Sequence, residues 1–389
     1  MQEKISVATV FGTRPEAIKM VPVILKLEGD PRFQVINIIT AQHRQMLDQV
    51  LGFFQIRPDH DLSIMTHNQD LSQIVANSIC RLDQLLRNLK PDVVLVQGDT
   101  STTFVASLSA FYNRIRVGHV EAGLRTQDRY QPFPEEINRR LTTVVTDFHF
   151  APTYLSKKNL VAEGVDPRKI MITGNTVVDA FQLALQVQGR PRRFALPWNF
   201  KDKKIILVTA HRRENFGAPM RSICSAIREI VRIHPDVAVL FPVHFNPKVR
   251  EEVFPILDGI DRILLTDPLE YIDTALMIRR STLVLTDSGG IQEEAPSLGR
   301  PVLVMRNTTE RPEGVHAGTA KLVGTNSSTI IREVSKLLTD PHRYAGMANA
   351  INPYGDGRAS GRIAGYLLHA FGLEKRRPRP FYPRRPRSD

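Results

Sequence analysis

Short apolar runs alternate along the chain with longer segments in which apolar residues recur every three or four positions. The apolar runs predict strands, and the longer segments have the period of amphipathic helices. The first series of predicted strands is Ile5–Phe11, Val35–Thr40, Val93–Gln97, Arg116–Val120, Phe148–Ala151 and Ile170–Thr173. The second series is Ile205–Thr209, Val237–Val243, Ile263–Thr266, Thr282–Thr286, Pro301–Met305 and Lys321–Val323.

Strands that alternate with helices form parallel sheets, because a helical crossover returns the chain to the start of the next strand. Two series therefore predict an α/β protein with two doubly wound, Rossmann-like domains that face a central cleft. The break falls near residues 188–204, which lack periodicity and are rich in proline and charge. We expect residues 1–175 to form the N-terminal domain, residues 176–357 to form the C-terminal domain, and a helix at 358–372 to return to the first.

Charge changes this picture only at the C-terminus. The net charge is +12, and the last segment is dense in arginine and proline. Proline excludes a helix there, so we expect residues 373–389 to form a disordered basic tail. The tail carries +5 of this net charge and the rest of the chain carries +7. This division weakens the case for a nucleic-acid-binding protein, and we disfavour that partner.

The remaining composition is that of a globular intracellular protein. Only two cysteines occur, Cys80 and Cys224, which argues against a disulfide framework and gives no zinc spacing. No apolar run is long enough to cross a bilayer, and no signal peptide is recognisable. We therefore expect a cytoplasmic protein without a membrane partner.

The most informative segment is residues 284–295. A short strand is followed by Ser288, Gly289 and Gly290, and then by a predicted helix over Ile291–Leu298. Free backbone N–H groups at such a helix start bind phosphate, and glycine permits close approach. Glu294 lies one turn further along, where a carboxylate can accept hydrogen bonds from ribose hydroxyls. The segment thus suits a nucleoside diphosphate, although an ordinary capped turn has the same pattern.

Other polar turns also follow predicted strands, at the edge where open α/β sheets bind ligands. Arg14 stands at the start of the first helix, where a guanidinium can hold a phosphate by two hydrogen bonds. Glu16 is expected to complement the dipole of that helix. Lys19 lies one turn further on and either reaches the ligand or is solvated.

Two further turns offer candidate ligands for a diphosphate. His211 heads the polar turn His-Arg-Arg-Glu-Asn after an apolar strand, and its imidazole can donate to a phosphate or move a proton. Arg311 could act as a clamp on the diphosphate, but a plain charged loop explains the residues around it equally well.

Three carboxylates are candidates for proton transfer. Asp99 and Glu121 follow buried strands, a position that tends to raise the pKa of a carboxyl group. Glu135 begins a helix after Pro132-Phe133-Pro134, where a simple helix-start acid is the alternative. No metal spacing, P-loop or Gly-x-Gly-x-x-Gly motif follows the first strand, so we expect no metal and no nicotinamide cofactor.

Together these segments resemble the bacterial non-hydrolysing UDP-N-acetylglucosamine 2-epimerases over about residues 4–372. The matching runs begin at Phe11, Thr40, Gly98, Val117, Pro134, Thr173, Ala210, Leu285, Thr308 and Asn352. They include Gly-Thr-Arg-Pro-Glu, Glu-Ala-Gly-Leu-Arg, His-Arg-Arg-Glu-Asn, Asp-Ser-Gly-Gly-Ile-Gln-Glu-Glu and Asn-Pro-Tyr-Gly-Asp-Gly.

The resemblance implies a fold shared with a large class of glycosyltransferases and a homodimer without a cofactor. It also implies interconversion of UDP-N-acetylglucosamine and UDP-N-acetylmannosamine by loss and readdition of UDP. The implied catalytic residues are Asp99, Glu121, Glu135 and His211. The implied UDP ligands are Arg14, His211, Ser288, Gly289, Gly290, Glu294 and Arg311, with Lys19 as a further candidate.

The resemblance further implies an adjoining site at which UDP-N-acetylglucosamine activates the enzyme. The matching positions are Gln42, Gln45, Arg212 and His244. Two departures bear on these expectations. Asn68 stands where regulated relatives can carry arginine, and Thr274 stands where relatives often have phenylalanine near the uracil.

Three alternatives stay open at this point. A glycosyltransferase could use the same fold and diphosphate site, but it would need an acceptor. A hydrolysing epimerase would release free N-acetylmannosamine and UDP. A nucleotide sensor or nucleic-acid-binding protein would bind without needing the carboxylates.

Overall fold

A computed structural model describes residues 4–40, 44–64, 70–186, 194 and 196–383. The chain forms two compact units. Unit 1 contains residues 1–180 and 355–382, and unit 2 contains residues 181–354 and 383–389. No helix in the described ranges is long and apolar enough to cross a membrane.

Unit 1 is built on a seven-stranded parallel sheet. Its strands are β1 (Ile5–Phe11), β2 (Phe33–Ile39), β3 (His60–Asp61), β4 (Val93–Gln97), β5 (Arg116–Val120), β6 (Phe148–Ala151) and β7 (Ile170–Ile172). The spatial order is β3-β2-β1-β4-β5-β6-β7. Its helices are α1 (Arg14–Glu28), α2 (Arg44–Phe54), α3 (Leu71–Leu89), α4 (Ser101–Tyr112), α5 (Glu135–Val145), α6 (Tyr154–Ala162) and the start of α7 (Thr176–Gln186).

Unit 2 repeats the design with a six-stranded parallel sheet in the order β10-β9-β8-β11-β12-β13. The strands are β8 (Lys204–Thr209), β9 (Val237–Pro242), β10 (Ile263–Thr266), β11 (Leu283–Thr286), β12 (Val302–Val304) and β13 (Ala320–Leu322). The helices are α8 (Ala218–Ile233), α9 (Pro247–Leu257), α10 (Tyr271–Arg280), α11 (Gly289–Glu294), α12 (Pro312–Ala317), α13 (Ser327–Thr339) and α14 (Pro341–Ala348).

The predicted fold class is confirmed as an α/β protein with two doubly wound parallel-sheet units. The central strands are buried along their length, as expected for parallel strands covered by helices on both faces. All twelve predicted strands are present, with ends shifted by at most two residues. The two-residue strand β3 was missed, because so short a strand has no periodicity to recognise.

The last helix, α15 (Ala359–Ala370), belongs to unit 1. Asp179 of α7 secures its N-terminus: the carboxylate accepts hydrogen bonds from the backbone of Ala359 at 3.1 Å and Ser360 at 2.8 Å, and from the Ser360 hydroxyl at 2.7 Å. Burial of Asp179 raises the pKa of its carboxyl group, and these hydrogen bonds oppose that shift. The start of α15 is thereby fixed to the segment by which the chain first leaves unit 1.

The prediction of a disordered tail is wrong for residues 373–382. Phe381 is 5% exposed, and its backbone N–H donates to the Ile172 carbonyl at the free edge of β7 over 2.8 Å. Arg377 donates to the Ile170 carbonyl over 2.8 Å and lies over the ring of Tyr366. Proline does exclude a helix here, but an extended segment can still bury an aromatic ring and satisfy an open sheet edge. Residues 384–389 of the predicted tail lie outside the described residues.

We expect Phe381→Ala to destabilise unit 1 by about 3 kcal/mol, because the substitution empties a buried aromatic site. Urea unfolding followed by circular dichroism measures the change. Tyr382→Ala, at a 54% exposed position next to Phe381, serves as the control and should leave the transition unchanged. Equal stability of Phe381→Ala and the native chain would contradict the packed position of this segment.

Candidate functional site

The turn after β1 presents Arg14 at the start of α1. Thr13 caps the helix, and the Thr13 and Glu16 residues form a reciprocal capping box. Arg14 is exposed and makes no ion pair or hydrogen bond with any side chain in the part of the chain that the structure describes. A guanidinium in this position has all its donors available to a phosphate.

Glu16 does more than complement the helix dipole. Its side chain is 2% exposed, and Oε2 accepts the backbone N–H groups of Gly12 at 3.0 Å and Thr13 at 2.8 Å. Oε1 accepts the hydroxyl of Thr100, which follows β4, at 2.6 Å. It also lies 3.1 Å from the hydroxyl oxygen of Thr103, whose shorter contact is with the Gln97 carbonyl. Burial raises the pKa of Glu16, and the hydrogen bonds oppose that shift. One carboxylate therefore connects the turns after β1 and β4.

Asp99 lies in the second of these turns. Arg139 of α5 donates to Asp99 Oδ2 over 2.6 Å, and no donor among the described residues contacts Oδ1. Burial raises the pKa of Asp99; the Arg139 charge lowers it, and the nearby charges of Glu121 and Glu135 raise it further. A carboxyl group with a raised pKa and an open oxygen can accept a proton from a substrate.

Glu121 follows β5 with a backbone φ of +66°. This left-handed conformation is costly for a residue with a side chain, and the carboxylate is held in place by several donors. Lys19 contacts its two oxygens at 2.7 and 2.6 Å, Asn175 donates over 2.9 Å, and Gln97 also donates. Lys19 is thus an ion-pair partner of Glu121 and not simply a solvated lysine.

Glu135 begins α5, as the sequence predicts. Its Oε2 is buried and accepts no hydrogen bond from the described part of the protein. A buried oxygen without a donor is unfavourable unless a ligand or water supplies one. The charge of Glu135 acts on Asp99, so the structure brings Asp99, Glu121 and Glu135 together in unit 1.

In unit 2, the turn after β8 carries His211 and is organised by Asp287, which follows β11. Asp287 is fully buried, and its Oδ2 accepts the backbone N–H groups of His211 and Arg212 and the Asn215 side chain, each at 2.9 Å. Its Oδ1 lies 3.4 Å from His211 Nδ1. Asp287 therefore fixes the backbone of the His211 turn, while its buried Oδ1 lies beside the ring and accepts no hydrogen bond from the described residues.

The His211 ring is stacked on the ring of His244, with centroids 5.6 Å apart. Burial lowers the pKa of His211; Asp287 raises it, and the charges of Arg212 and His244 lower it. The imidazole is accordingly held toward its neutral form, in which one ring nitrogen can donate while the other accepts.

The Ser288-Gly289-Gly290 turn opens α11, and the Ser288 side chain does not cap the helix. A side chain on Gly289 would lie 2.7 Å from Glu310 Oε1 and 3.8 Å from Arg212. Arg212 and Glu310 themselves are 3.6 Å apart. Because Gly289 has no side chain, its backbone can lie close to both Arg212 and Glu310.

Arg311 is held on two sides. Its Nε donates to Glu293, whose side chain is 3% exposed. Its backbone carbonyl accepts the hydroxyl of the buried Tyr354 over 3.0 Å, and that hydroxyl accepts the N–H of Gly314 over 2.7 Å. The charged loop around Arg311 is therefore an ordered part of unit 2.

Glu294 is 8% exposed, and its charge acts on the hydroxyl of Tyr271. That hydroxyl is buried and finds no partner among the residues described, and burial raises the pKa of Tyr271 well above its ordinary value. The Thr274 hydroxyl donates to the Glu270 carbonyl of its own helix over 3.0 Å.

The predicted activating site is described only in part. Arg212 and His244 lie beside His211 in unit 2. Gln42 and Asn68 lie outside the described residues, and for Gln45 only the backbone, in α2, is described. Within the same ranges no cluster of three or more His, Cys, Asp or Glu side chains could hold a metal ion.

Sequence reasoning missed Glu16, Arg139, Asp287 and Tyr354 as parts of these clusters. Asp287 and Tyr354 lie inside motifs that were recognised. Each stands directly before a turn that contains glycine, and that position could have marked them as candidates. Arg139 is separated from Asp99 by 40 residues, and only the sheet brings α5 beside that turn.

A family model described as UDP-N-acetylglucosamine 2-epimerase matches residues 25–368. The UDP-N-acetylglucosamine 2-epimerase of Bacillus subtilis is 53% identical over 379 residues, which cover 97% of this chain and 99% of that protein. A crystal structure of a UDP-N-acetylglucosamine 2-epimerase superposes with a TM-score of 0.89 at 50% identity, covering 98% of this chain and all of that one. The enzyme from Neisseria meningitidis, solved with bound UDP-GlcNAc, has a TM-score of 0.85 at 49% identity, with 94% and 100% of the chains covered.

We expect Asp287→Asn to lower the pKa of His211 further, because the substitution removes the carboxylate that raises it. The amide oxygen can still accept the N–H groups of the turn, so the fold should persist. A histidine NMR titration measures the change. Glu214→Gln is the matched control, because Glu214 lies in the same turn as His211 but its carboxylate pairs with Arg306, which follows β12. An unchanged His211 pKa in Asp287→Asn would contradict the electrostatic role of Asp287.

Proposed function

The chain belongs to the UDP-N-acetylglucosamine 2-epimerase family, and from this premise we propose that it interconverts UDP-N-acetylglucosamine and UDP-N-acetylmannosamine. The observation that carries the proposal is the group of Asp99, Glu121 and Glu135 in unit 1, in which an acid and a base can act on one sugar. The bound UDP-GlcNAc of the Neisseria relative supports the choice of substrate.

The chemistry explains why such an enzyme needs a diphosphate site. The C2 hydrogen of the sugar is not acidic, but departure of UDP from C1 places positive charge beside it. Breaking C1–O and C2–H leaves UDP and a 2-acetamidoglucal with a C1=C2 double bond. Readdition of UDP at C1 and of a proton to the opposite face of C2 then gives the epimer.

UDP must be stabilised as a leaving group and kept in place for readdition. We assign this task to Arg14, His211, Arg311 and the turn Ser288–Gly290, with Glu294 holding the ribose. Arg14 has no competing partner among the described side chains. Arg311 donates from Nε to Glu293 and from Nη1 to the Glu310 carbonyl, and these contacts orient its guanidinium group.

Asp99 is our candidate for the group that removes the C2 proton. Its raised pKa and its open Oδ1 support this role. Glu121, Glu135 and His211 complete the proposed catalytic set, and the proton on the second face comes from one of the two glutamates. The product is an activated sugar, and we propose that it supplies cell-surface polysaccharide synthesis.

Proton NMR with UDP-N-acetylglucosamine in deuterated buffer tests the reaction. We expect UDP-N-acetylmannosamine with deuterium at C2. Asp99→Asn should reduce turnover by about 10³-fold, because the amide cannot accept the proton, while calorimetry should find UDP still bound. Asp83→Asn, the same change on α3, should remain active.

Other spectra would redirect the assignment. Free N-acetylmannosamine would indicate a hydrolysing epimerase. An unchanged spectrum with UDP bound would indicate a transferase or a different UDP-sugar. Normal turnover of Asp99→Asn would reject Asp99 as the base but not the reaction.

We also propose that the protein is a homodimer that associates through unit 1. Large apolar side chains are exposed on its helices: Phe111 and Tyr112 at the end of α4, Val144 on α5, and Tyr154 on α6. Val144 is 82% exposed, and α4 packs beside α5. Exposed apolar side chains of this size on neighbouring helices favour a protein interface.

We expect Val144→Asp to weaken the dimer, because association would bury an unpaired charge. Light scattering coupled to gel filtration gives the molar mass. Ile233→Asp, at a 44% exposed position of unit 2, is the control and should stay dimeric. A monomeric native protein, or an equally stable Val144→Asp dimer, would reject this surface.

A further inference from the structure

We propose that Glu16 is a positioning residue that sets the spacing between Arg14 and Asp99. The inference rests on the epimerase function proposed above, in which these two residues bind UDP and remove the C2 proton. Glu16 itself is buried among protein groups, so it acts through the two turns that it joins.

The two turns lie at the point where the strand order of unit 1 reverses. β1 and β4 are hydrogen-bonded neighbours, whereas β2 and β3 extend the sheet in the other direction. At such a switch point the connections after adjacent strands diverge, which opens a crevice for ligands. In the described part of the chain, no backbone hydrogen bond joins the two turns beyond the strand ends, and the Glu16 side chain makes the connection.

Glu16 supplies that connection with both oxygens. Oε2 holds the N–H groups of Gly12 and Thr13, which immediately precede Arg14. Oε1 holds the hydroxyl of Thr100, which immediately follows Asp99. Each functional residue is thus one position from an atom that Glu16 fixes.

Close packing fixes Gly12 at the start of the first turn, so Glu16 connects the turn of Asp99 to a well-defined point. A Cβ on Gly12 would lie 2.1 Å from Thr40 Oγ1 and 2.8 Å from Thr102 Oγ1. These two hydroxyls are themselves 3.0 Å apart and buried. The turn therefore has one well-packed position, and Glu16 links that position to the turn of Asp99.

Unit 2 provides independent support, because there too a buried carboxylate connects the turns after two neighbouring strands, although the residue is an aspartate. Its strand order also reverses between neighbours, β8 and β11. Asp287 comes from the turn after β11 and holds the turn of His211 after β8. A buried carboxylate that bridges the switch point in both sheets, from opposite sides, indicates a geometric task shared by the two units.

A purely structural role is distinguished by the glutamine variant. A glutamine oxygen can accept the N–H groups of Gly12 and Thr13, and its NH₂ group can donate to the Thr100 and Thr103 hydroxyl oxygens. Thr103 keeps its own donation to the Gln97 carbonyl, at 2.7 Å. Glu16→Gln therefore preserves the connection without the charge, whereas Glu16→Ala removes it.

The test measures kcat, KM, UDP affinity by calorimetry and thermal stability for Glu16→Ala, Glu16→Gln and the native protein. We expect Glu16→Ala to lose about 10²-fold in kcat/KM, since small misplacements of catalytic groups have effects of this size. Its UDP affinity should fall about tenfold, equivalent to about 1.4 kcal/mol. Glu16→Gln should restore both values to within about threefold of native.

Asn37→Ala is the matched control. Asn37 is a buried side chain in the same sheet that accepts from the Thr9 hydroxyl at 2.8 Å, within the strands and away from their ends. Its loss should lower the melting temperature but leave kcat and UDP affinity unchanged. Glu16→Ala should differ from it in both functional values at a comparable loss of stability.

The outcomes separate this proposal from the proposed function. If native protein does not epimerise its substrate, the epimerase assignment fails, and the UDP affinities of the Glu16 variants still decide whether Glu16 positions Arg14. Native kcat and UDP affinity in Glu16→Ala would overturn the proposal. Failure of Glu16→Gln to recover either value would also overturn it, because the connection alone would then be insufficient.

Discussion

The dominant constraint in this protein is the reversal of strand order at the centre of each parallel sheet. Parallel strands end at a common edge, where turns bring backbone N–H groups and polar side chains into a crevice. The ladder that aligns the strands stops at this edge, yet reaction geometry requires turns that do not drift. Buried carboxylates, Glu16 in unit 1 and Asp287 in unit 2, satisfy several donors at once and make the turns part of the rigid sheet.

Grouping carboxylates in this way requires compensation. Asp99, Glu121 and Glu135 repel one another when ionised, and burial adds to the cost. Lys19 and Arg139 each neutralise one member, and Glu135 retains a buried oxygen without a donor in the described chain. The three carboxylates thus differ in their surroundings. Glu121 is paired with Lys19, Asp99 has a raised pKa although Arg139 contacts it, and Glu135 has a buried oxygen that accepts no hydrogen bond from the described residues. Such differentiation is what separates the roles of chemically similar groups.

The fold was largely predictable because buried parallel strands are continuous apolar runs, and the turns that follow them are conspicuously polar. Lys19 and Glu121 were recognised separately, but their pairing depends on side chains 102 residues apart in sequence. Glu16 was placed correctly at a helix start and misjudged, since a capping acid and a bridging acid have the same sequence signature. The segment after Gly372 was wrongly predicted to be disordered. Its content of proline and charge is typical of a disordered tail, but composition does not show that one phenylalanine, Phe381, is buried.

The order of segments in unit 1 has a consequence for biosynthesis. Unit 2 is almost wholly formed by one continuous stretch, residues 181–354, whereas α15 and the segment carrying Phe381 complete unit 1 only after that stretch. A ribosome makes the chain from the N-terminus, and domains tend to fold as they emerge. The first unit therefore stays incomplete until the second unit has been translated, because the residues that contact the free edge of β7 and the Asp179 carboxylate come later in the sequence. The unit whose synthesis begins first is the last to be finished.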